Sequence, residues 1–516
     1  MKKYDAIVIG AGNGGLVAAC KLAKEGKKAL LLERHNVPGG SATSFVRGRF
    51  EFEASLHELC GIGPRTGIGM SLDIFKDLGV ADRMEWASLD EAFRIISLNP
   101  DEKADYSLPI GKENFIKAVE GYCPGSRKYT EKLFEMVEAV QAGVDYMTTI
   151  TDFEGRIIKD VLTTHRRFLN SVSYTVEEIF DWLNVPQTVR DCFAGYWLYL
   201  GTSLDKLSFT HYATMFYSYI IDGSVVPLNR SHYMSSVILD RFEELGGEVR
   251  FGAEVAKVLL TEGRASGVRL ADGSELFADY IICNASPYNL YTKLLDKEDI
   301  PESKLKRLNS LALAPKGFSL FLGLDASPEE LGINDHSYFI FDTMDTAKQV
   351  ELTRSRATNG MQAAVCLNKG VPDCSPEGTT ILYITSIYTG ESAWNGLTEE
   401  NYVSEKRKVA ERTIANFEKA TGVKIRGHIE EIEIATPVTY ARYLDAPNGD
   451  IYGFENTRDY DIVTRIIFGL MGENIPRLYY GGGYGRQSIG FNPSYLSGYD
   501  AAKAALADMA KEEESK

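Results

Sequence analysis

Disulfide and metal-binding frameworks are missing from this sequence. Its seven cysteines, at positions 20, 60, 123, 192, 283, 366 and 374, include no CxxC pair and no metal-ligand spacing. They are expected to be reduced, mostly buried thiols. No apolar run is long enough to span a bilayer. Met1-Lys2-Lys3-Tyr4-Asp5 leads directly into a strand-like segment, leaving no room for a signal peptide's apolar region, so a cytoplasmic protein is the expectation. Excess positive charge is also missing. With 72 acidic against 56 basic residues and a net charge of −16, no nucleic-acid partner is expected and there is no general attraction to anionic lipid. Finally, there is no Ser-His-Asp or paired-carboxylate signature, no internal repeat and no low-complexity tract.

What is present begins at once. "AIVIGAGNGGLVAACKLAKEGKKALLLE" (residues 6–33) reads as strand, glycine turn, helix, strand and acid, in that order. Residues 4–9 are aliphatic, as in a parallel strand covered on both faces. Gly10, Gly12 and Gly15 form G-x-G-x-x-G. Leu16, Val17, Cys20, Leu22 and Ala23 then share one helical face, and Gly26 stops the helix. In such a unit the glycines give a tight turn, close approach of a pyrophosphate and close helix–strand packing, while the helix N-terminus offers free N–H groups. Glu33 is placed to accept from ribose hydroxyls. A dinucleotide site is therefore expected.

A simple nicotinamide dehydrogenase would continue with another helix and strand. Here "RHNVPGGSATSFVRGRFEFEASLHEL" (34–59) follows instead, and its Gly39-Gly40 doublet resembles the Gly-Gly extension of flavoprotein oxidoreductases. Further blocks extend the likeness: 238–287, "VPDCSPEGTTILYI" (371–384), "ARYLDAPNGDIYGFE" (441–455) and "RLYYGGGYGRQSIGFNPSYLSGYDAAKAAL" (477–506). Together they resemble the phytoene desaturase, carotenoid isomerase and retinol saturase family of FAD-dependent enzymes. The resemblance implies an α/β fold, with a Rossmann-like FAD-binding domain of the Gly-Gly-doublet type and a discontinuous mixed α+β substrate domain. It also implies that FAD is held by Gly10, Gly12, Gly14 and Gly15, by Glu33, Arg34, Gly39, Gly40 and Ser41, by the Val255 backbone, and by Gly482, Gly483 and Gly490.

The local patterns agree with those blocks. Residues 238–245 form an amphipathic helix, 248–251 a short strand, and 255–260, 265–270 and 275–278 alternate as a meander that returns to the aliphatic run 280–283. Residues 478–480 read as a strand before a glycine loop and a helix over 493–509, with a charged tail at 511–516. The FAD domain is expected from 1–90, 225–290 and 475–516. The substrate domain takes 91–224, largely helical, and 291–474, where 318–323, 337–341 and 380–387 are strand-like and 399–421 is a charged helix.

Chemistry follows from the cofactor: a flavin supplies the redox step, and the protein positions a substrate bond and excludes water. Only one GxGxxG is present, so a quinone, oxygen or an electron carrier is expected to reach the flavin through the substrate site. The aromatic segment 193–224 would, by the resemblance, border a hydrophobic substrate tunnel and touch membrane; packed helical core is the alternative. Retinol-saturase-like members carry a histidine at the position of His57, a candidate general acid with a near-neutral pKa, against a structural role. The chain departs from hydrocarbon-acting members at Gly485-Arg486-Gln487-Ser488-Ile489-Gly490 and at Pro227-Leu228-Asn229-Arg230-Ser231. Arg486 is accordingly a candidate to meet a substrate carboxylate or carbonyl, or the flavin edge, with a protein ion pair as the alternative. The expected activity is on carbon–carbon double bonds of an apolar unsaturated small molecule such as an isoprenoid, polyene or fatty acyl compound. An amine or amino-acid oxidase and a non-catalytic flavin- or lipid-binding protein are the alternatives.

Overall fold

In the computed structural model, residues 3–148, 162–470, 475–485 and 490–515 are described. Arg486 falls outside them.

The first strand, Lys3–Ile9, sits inside a seven-stranded sheet, parallel to Glu275–Cys283 on one side and to Ala29–Leu32 on the other. Glu248–Arg250 adds a parallel edge, and Leu478–Tyr480 pairs in parallel with the end of Glu275–Cys283. The hairpin Val255–Thr261 and Arg264–Leu270 completes the sheet in antiparallel fashion. Its two turn residues, Glu262 and Gly263, both have positive φ, the twist that a two-residue hairpin loop demands. The alternation of the pleat sends Ala6 and Val8 to one face and Ile7 and Ile9 to the other. Helices Asn13–Lys24, Arg230–Glu244 and Phe491–Glu514 cover the first face, and the hairpin with residues 290–295 covers the second. Burial on both faces explains the nearly unbroken aliphatic runs.

A second seven-stranded sheet runs in the order Ile429–Ala435, Lys316–Leu324, Thr380–Tyr388, Gln362–Cys366, Ser337–Phe341, Glu91–Ser97, Asp105–Pro109. One face packs under the helices of residues 112–216, where Phe115, Phe134, Phe193 and Phe216 interlock. The other face is closed by the helix Glu399–Thr421 through Val409, Ile414 and Phe417. The strands Glu91–Ser97 and Asp105–Pro109 belong to this sheet, although the sequence pattern picks out neither. The meander's last strand and the aliphatic run 280–283 are one strand, not two. The final helix runs on through Glu514, since Lys and Glu are good helix formers, so most of the expected charged tail is helical. The aromatic segment supplies both core and cavity wall: Phe193 and Trp197 are buried in the core, while Tyr199 and Tyr219 line the cavity described below.

Two backbone contacts hold the N-terminal unit together. A Cβ placed on Gly15 would stand 1.9 Å from the Gly10 carbonyl oxygen, and one on Gly498 would stand 1.9 Å from that of Gly14. The helices Asn13–Lys24 and Phe491–Glu514 thus meet through glycine, and neither site can yield without moving backbone. Gly498→Ala should lower the thermal unfolding midpoint by several degrees, an overpacking effect of about 1–3 kcal/mol. Gly121, exposed in the helix Lys112–Tyr122 with nothing within 4 Å of its would-be Cβ, is the control: Gly121→Ala should raise the midpoint slightly, by about 0.5–1 kcal/mol. Calorimetry of both variants checks the opposite signs.

Candidate active site

Where the first sheet's parallel strands end, at Ile9, Leu32 and Asn284, they open into a cavity of about 1060 Å³ whose opposite wall includes Ser319, Phe321 and Thr385 of the second sheet. Such strand ends are where ligands bind in sheets of this kind. The volume lies above the roughly 300–1,000 Å³ of a pocket for one small molecule.

The glycine end of the cavity is built from backbone. The helix Asn13–Lys24 begins after Gly12, and no side chain caps it, so its first N–H groups stay available to an anion. Gly39 donates its N–H to the Ala11 carbonyl at 2.8 Å, and a Cβ on Gly40 would be 3.4 Å from the Gly12 Cα; the doublet lies directly on the turn. Gly39 has φ +111°, and a Cβ there would be 2.3 Å from the Ala42 carbonyl oxygen. On Gly14 a Cβ would stand 2.8 Å from Asn284 Oδ1 and 3.1 Å from the Gly481 carbonyl oxygen. Residues at four distant points of the chain therefore form one cradle, bare backbone apart from the Asn284 amide, beside an open helix N-terminus. That donor set fits the pyrophosphate of a dinucleotide.

Of the expected cofactor residues, Gly10, Gly12, Gly14, Glu33, Arg34, Gly39, Gly40, Ser41, Val255, Gly483 and Gly490 line this cavity. Gly15 and Gly482 stand one layer back, Gly15 against the Gly10 carbonyl and Gly482 against Asn284. Glu33 is steered by the turn itself, accepting from the Ala11 N–H at 2.7 Å and the His35 N–H at 2.8 Å, which leaves other lone pairs of the carboxylate for a ribose. Arg34 is also a brace. Its Nη2 donates to the carbonyls of Arg442 (3.2 Å) and Tyr443 (2.9 Å), tying the doublet segment to residues 441–455.

His57 lines the cavity, with its ring 5.7 Å from that of Tyr199 and 5.4 Å from that of Tyr383. Its expected near-neutral titration is corrected here: burial pushes its pKa down to about 4, so the imidazole is neutral at pH 7 and is not a standing proton donor. At the departure 227–231, Arg230 and Ser231 have protein partners, although Arg230 Nε has none among the described residues. Arg230 donates to the Cys374 carbonyl, and the Ser231 N–H and hydroxyl both donate to the buried Glu53 carboxylate.

Sequence reasoning passes over three cavity residues. Asn284 follows the aliphatic run 280–283 and supplies the polar side chain among the glycines. Glu58, next to His57, accepts from Ser224 Oγ at 2.6 Å, Tyr199 Oη at 3.2 Å and Tyr196 Oη at 3.3 Å; burial raises its pKa to about 7 against these hydrogen bonds. Asp450, also raised to about 7 by burial, accepts from Tyr484 Oη at 2.6 Å. Adjacency to His57 is the signal that could have found Glu58; membership of the block 441–455 could have found Asp450.

The Glu58 shift carries a sign. An upward-shifted carboxyl binds its proton more tightly in the folded chain, so its stability contribution is full below about pH 4.5 and is lost as pH rises through about 7. Glu58→Gln removes the titration. Its melting temperature relative to the wild type should therefore rise by a few degrees between pH 5 and pH 8, as scanning fluorimetry would show; a constant difference would assign the carboxyl an ordinary pKa.

Comparison with known proteins places this cradle. The chain is 26% identical over 481 residues to the all-trans-retinol 13,14-reductase of Danio rerio, covering 88% of this chain and 78% of that protein. It is 26% identical over 485 residues to the chloroplastic prolycopene isomerase of Daucus carota, covering 87% and 71%. In fold it is similar to cyclohexylamine oxidase from Brevibacterium oxydans, with TM-score 0.64, 14% identity and coverage of 99% of this chain and 100% of that one. Residues 14–506 match the flavin containing amine oxidoreductase family. The cradle, the Gly-Gly doublet and this match together make the chain a member of that family, an FAD-dependent oxidoreductase.

Proposed function

We propose that the enzyme acts on carbon–carbon double bonds of an apolar, unsaturated substrate of the isoprenoid, polyene or fatty acyl class. The observation that carries this reading is the continuity of the cavity. The glycine cradle and a wall of Tyr199, Met215, Tyr219, Phe321 and Tyr452 bound the same space, so a long apolar molecule can lie beside the cofactor with water excluded. The reductase and isomerase relatives, named for retinol and prolycopene, support the substrate class.

Bound FAD supplies the exchange of hydride or electrons with the substrate. The chain's own groups do the rest. The open N-terminus of the helix Asn13–Lys24 would hold the pyrophosphate, and Glu33 would meet the ribose. The aromatic wall orients the double-bond system and keeps the site dry. Glu58, with Tyr196, Tyr199 and Ser224 around it, can hold or release a proton at the cavity wall near neutral pH, whereas neutral His57 packs against Tyr199 and Tyr383. Saturation, desaturation and cis–trans isomerisation all draw on this arrangement. A quinone, carrier or oxygen would reach the bound cofactor through the same cavity. Exposed Val46 between the cavity residues Phe45 and Arg47, with Val37 and Tyr443 on the cavity wall and also exposed, supports loading of a lipophilic substrate from a membrane or carrier surface.

The test is anaerobic. Chemically reduced holoprotein is mixed with all-trans-retinol, other conjugated polyenes, enones, unsaturated fatty acids and imines, and the oxidised flavin band near the visible maximum is followed. Return of the band with a conjugated alkene is the expected result. Reoxidation by imines or oxygen alone would transfer the assignment to an amine oxidase.

A further inference from the structure

The helix Phe209–Phe216 and its continuation Tyr217–Ile221 form one side of the cavity. His211, Thr214, Met215, Ser218 and Tyr219 line it, at the i, i+3, i+4, i+7, i+8 spacing of a single helical face. Three of the polar side chains in this row have protein partners. Thr214 Oγ1 donates to the Thr210 carbonyl at 2.7 Å, Ser218 Oγ donates to the Thr214 carbonyl at 3.1 Å, and Tyr219 is hydrogen-bonded with Cys60.

His211 differs. It is 3% exposed, and neither Nδ1 nor Nε2 has a hydrogen-bond partner among the described residues. A buried donor or acceptor left unmade costs about 1–3 kcal/mol, and buried polar groups in native proteins are nearly always satisfied. Here a donor and an acceptor are both unmatched, on one ring, at the wall of the substrate cavity. The neighbouring hydroxyls Thr214 Oγ1 and Ser218 Oγ spend their protons on backbone carbonyls, so neither donates to the ring. The adjacent Arg465 is no alternative ligand-binding group either: it donates to the carbonyls of Tyr460, Phe454 and Glu455 and to Asn456 Oδ1.

We propose that His211 binds an uncharged oxygen, a hydroxyl or carbonyl, at the end of the substrate remote from the Tyr219–Cys60 contact, so that the enzyme's substrate is an oxygen-capped unsaturated lipid and not a pure hydrocarbon. The inference rests on the reading of the cavity given above. The eight residues from His211 to Tyr219 separate the two ends by about 12 Å along the helix. Tyr219 touches Cys60, which lies three residues from His57 and one from Gly61; the would-be Cβ of Gly61 is 2.4 Å from Asn492 Oδ1 in the closing cofactor block. His211 is thus at the far end of the row from the cofactor. Burial and the positive charge of Arg465 hold its imidazole well below its ordinary pKa, so it presents one N–H and one bare nitrogen. A hydroxyl can meet either nitrogen, accepting from the N–H or donating to the bare one, and a carbonyl can meet the N–H.

The test measures binding, without turnover. Oxidised holoprotein is titrated with all-trans-retinol and with the same polyene carrying methyl in place of the hydroxymethyl end, and quenching of protein fluorescence is followed. The wild type should bind the alcohol at least tenfold more tightly than the hydrocarbon. His211→Leu should erase that preference by weakening alcohol binding about tenfold while leaving or tightening hydrocarbon binding; His211→Gln, which keeps a neutral donor and acceptor, should retain much of it. Equal affinities in the wild type, or a His211→Leu effect of the same size on both probes, would overturn the proposal. The wild-type comparison decides the matter even if the leucine variant fails to fold. If neither probe binds, the assignment of an unsaturated apolar substrate falls, and this proposal with it; if both bind alike, only this proposal falls.

Discussion

The close approach of bare backbone around the first helix is the constraint on which the remainder depends. Gly15 sits against the Gly10 carbonyl, Gly498 against that of Gly14, and Gly40 against the Gly12 Cα. Any side chain at these points would push apart the first strand, the first helix, the doublet loop or the last helix. Because the contacts are made, residues 10–15, 39–41, 284, 481–485 and 490–494, which are spread over almost the whole chain, converge on one helix N-terminus. A phosphate-binding edge built of N–H groups needs that absence of side chains.

The second half of the site is attached through hydrogen bonds that run between segments rather than within them. Arg34 holds the carbonyls of residues 442 and 443, Tyr484 binds Asp450, and Tyr383 donates to the Leu56 carbonyl. These three links join the cofactor segments to the stretches 371–384 and 441–455. They keep the second sheet facing the cradle, so that one cavity, and not two separate ones, lies between the sheets. The buried carboxyls Glu53 and Glu58 are held in this corner by hydroxyl partners, Glu53 also by the Ser231 N–H and the charge of Arg230, and burial lifts both to about 7. Such poised groups are common where proton movement matters.

Much of this was legible in the residues. The strand, glycine turn and helix of residues 3–24 declare themselves because their signals are local: apolar periodicity, glycine spacing and a stop at Gly26. The strands Phe318–Gly323 and Thr380–Ile387 emerged for the same reason, the first extended by three residues in the fold and the second by one. What stayed hidden is tertiary. Asn284 matters because glycines from elsewhere close on it, and His211 because no group among the described residues hydrogen-bonds its ring. The strand Glu91–Ser97 gains its meaning only by pairing with Ser337–Phe341, more than 200 residues on. His57 was correctly placed at the cavity, but its titration was read from the residue type, and burial reverses that reading. Arg34 was expected at the cofactor, and its guanidinium also spans to the facing segment.

The central claim is that cofactor and substrate share a single cavity. It is tested most directly by titrating the oxidised holoprotein with a non-reacting conjugated polyene and recording the flavin difference spectrum at equilibrium. The account predicts a saturable perturbation of the flavin band with one polyene per flavin, because the aromatic wall and the glycine cradle enclose the same space. Polyene binding that saturates with the flavin band unchanged would place the two ligands apart and contradict it.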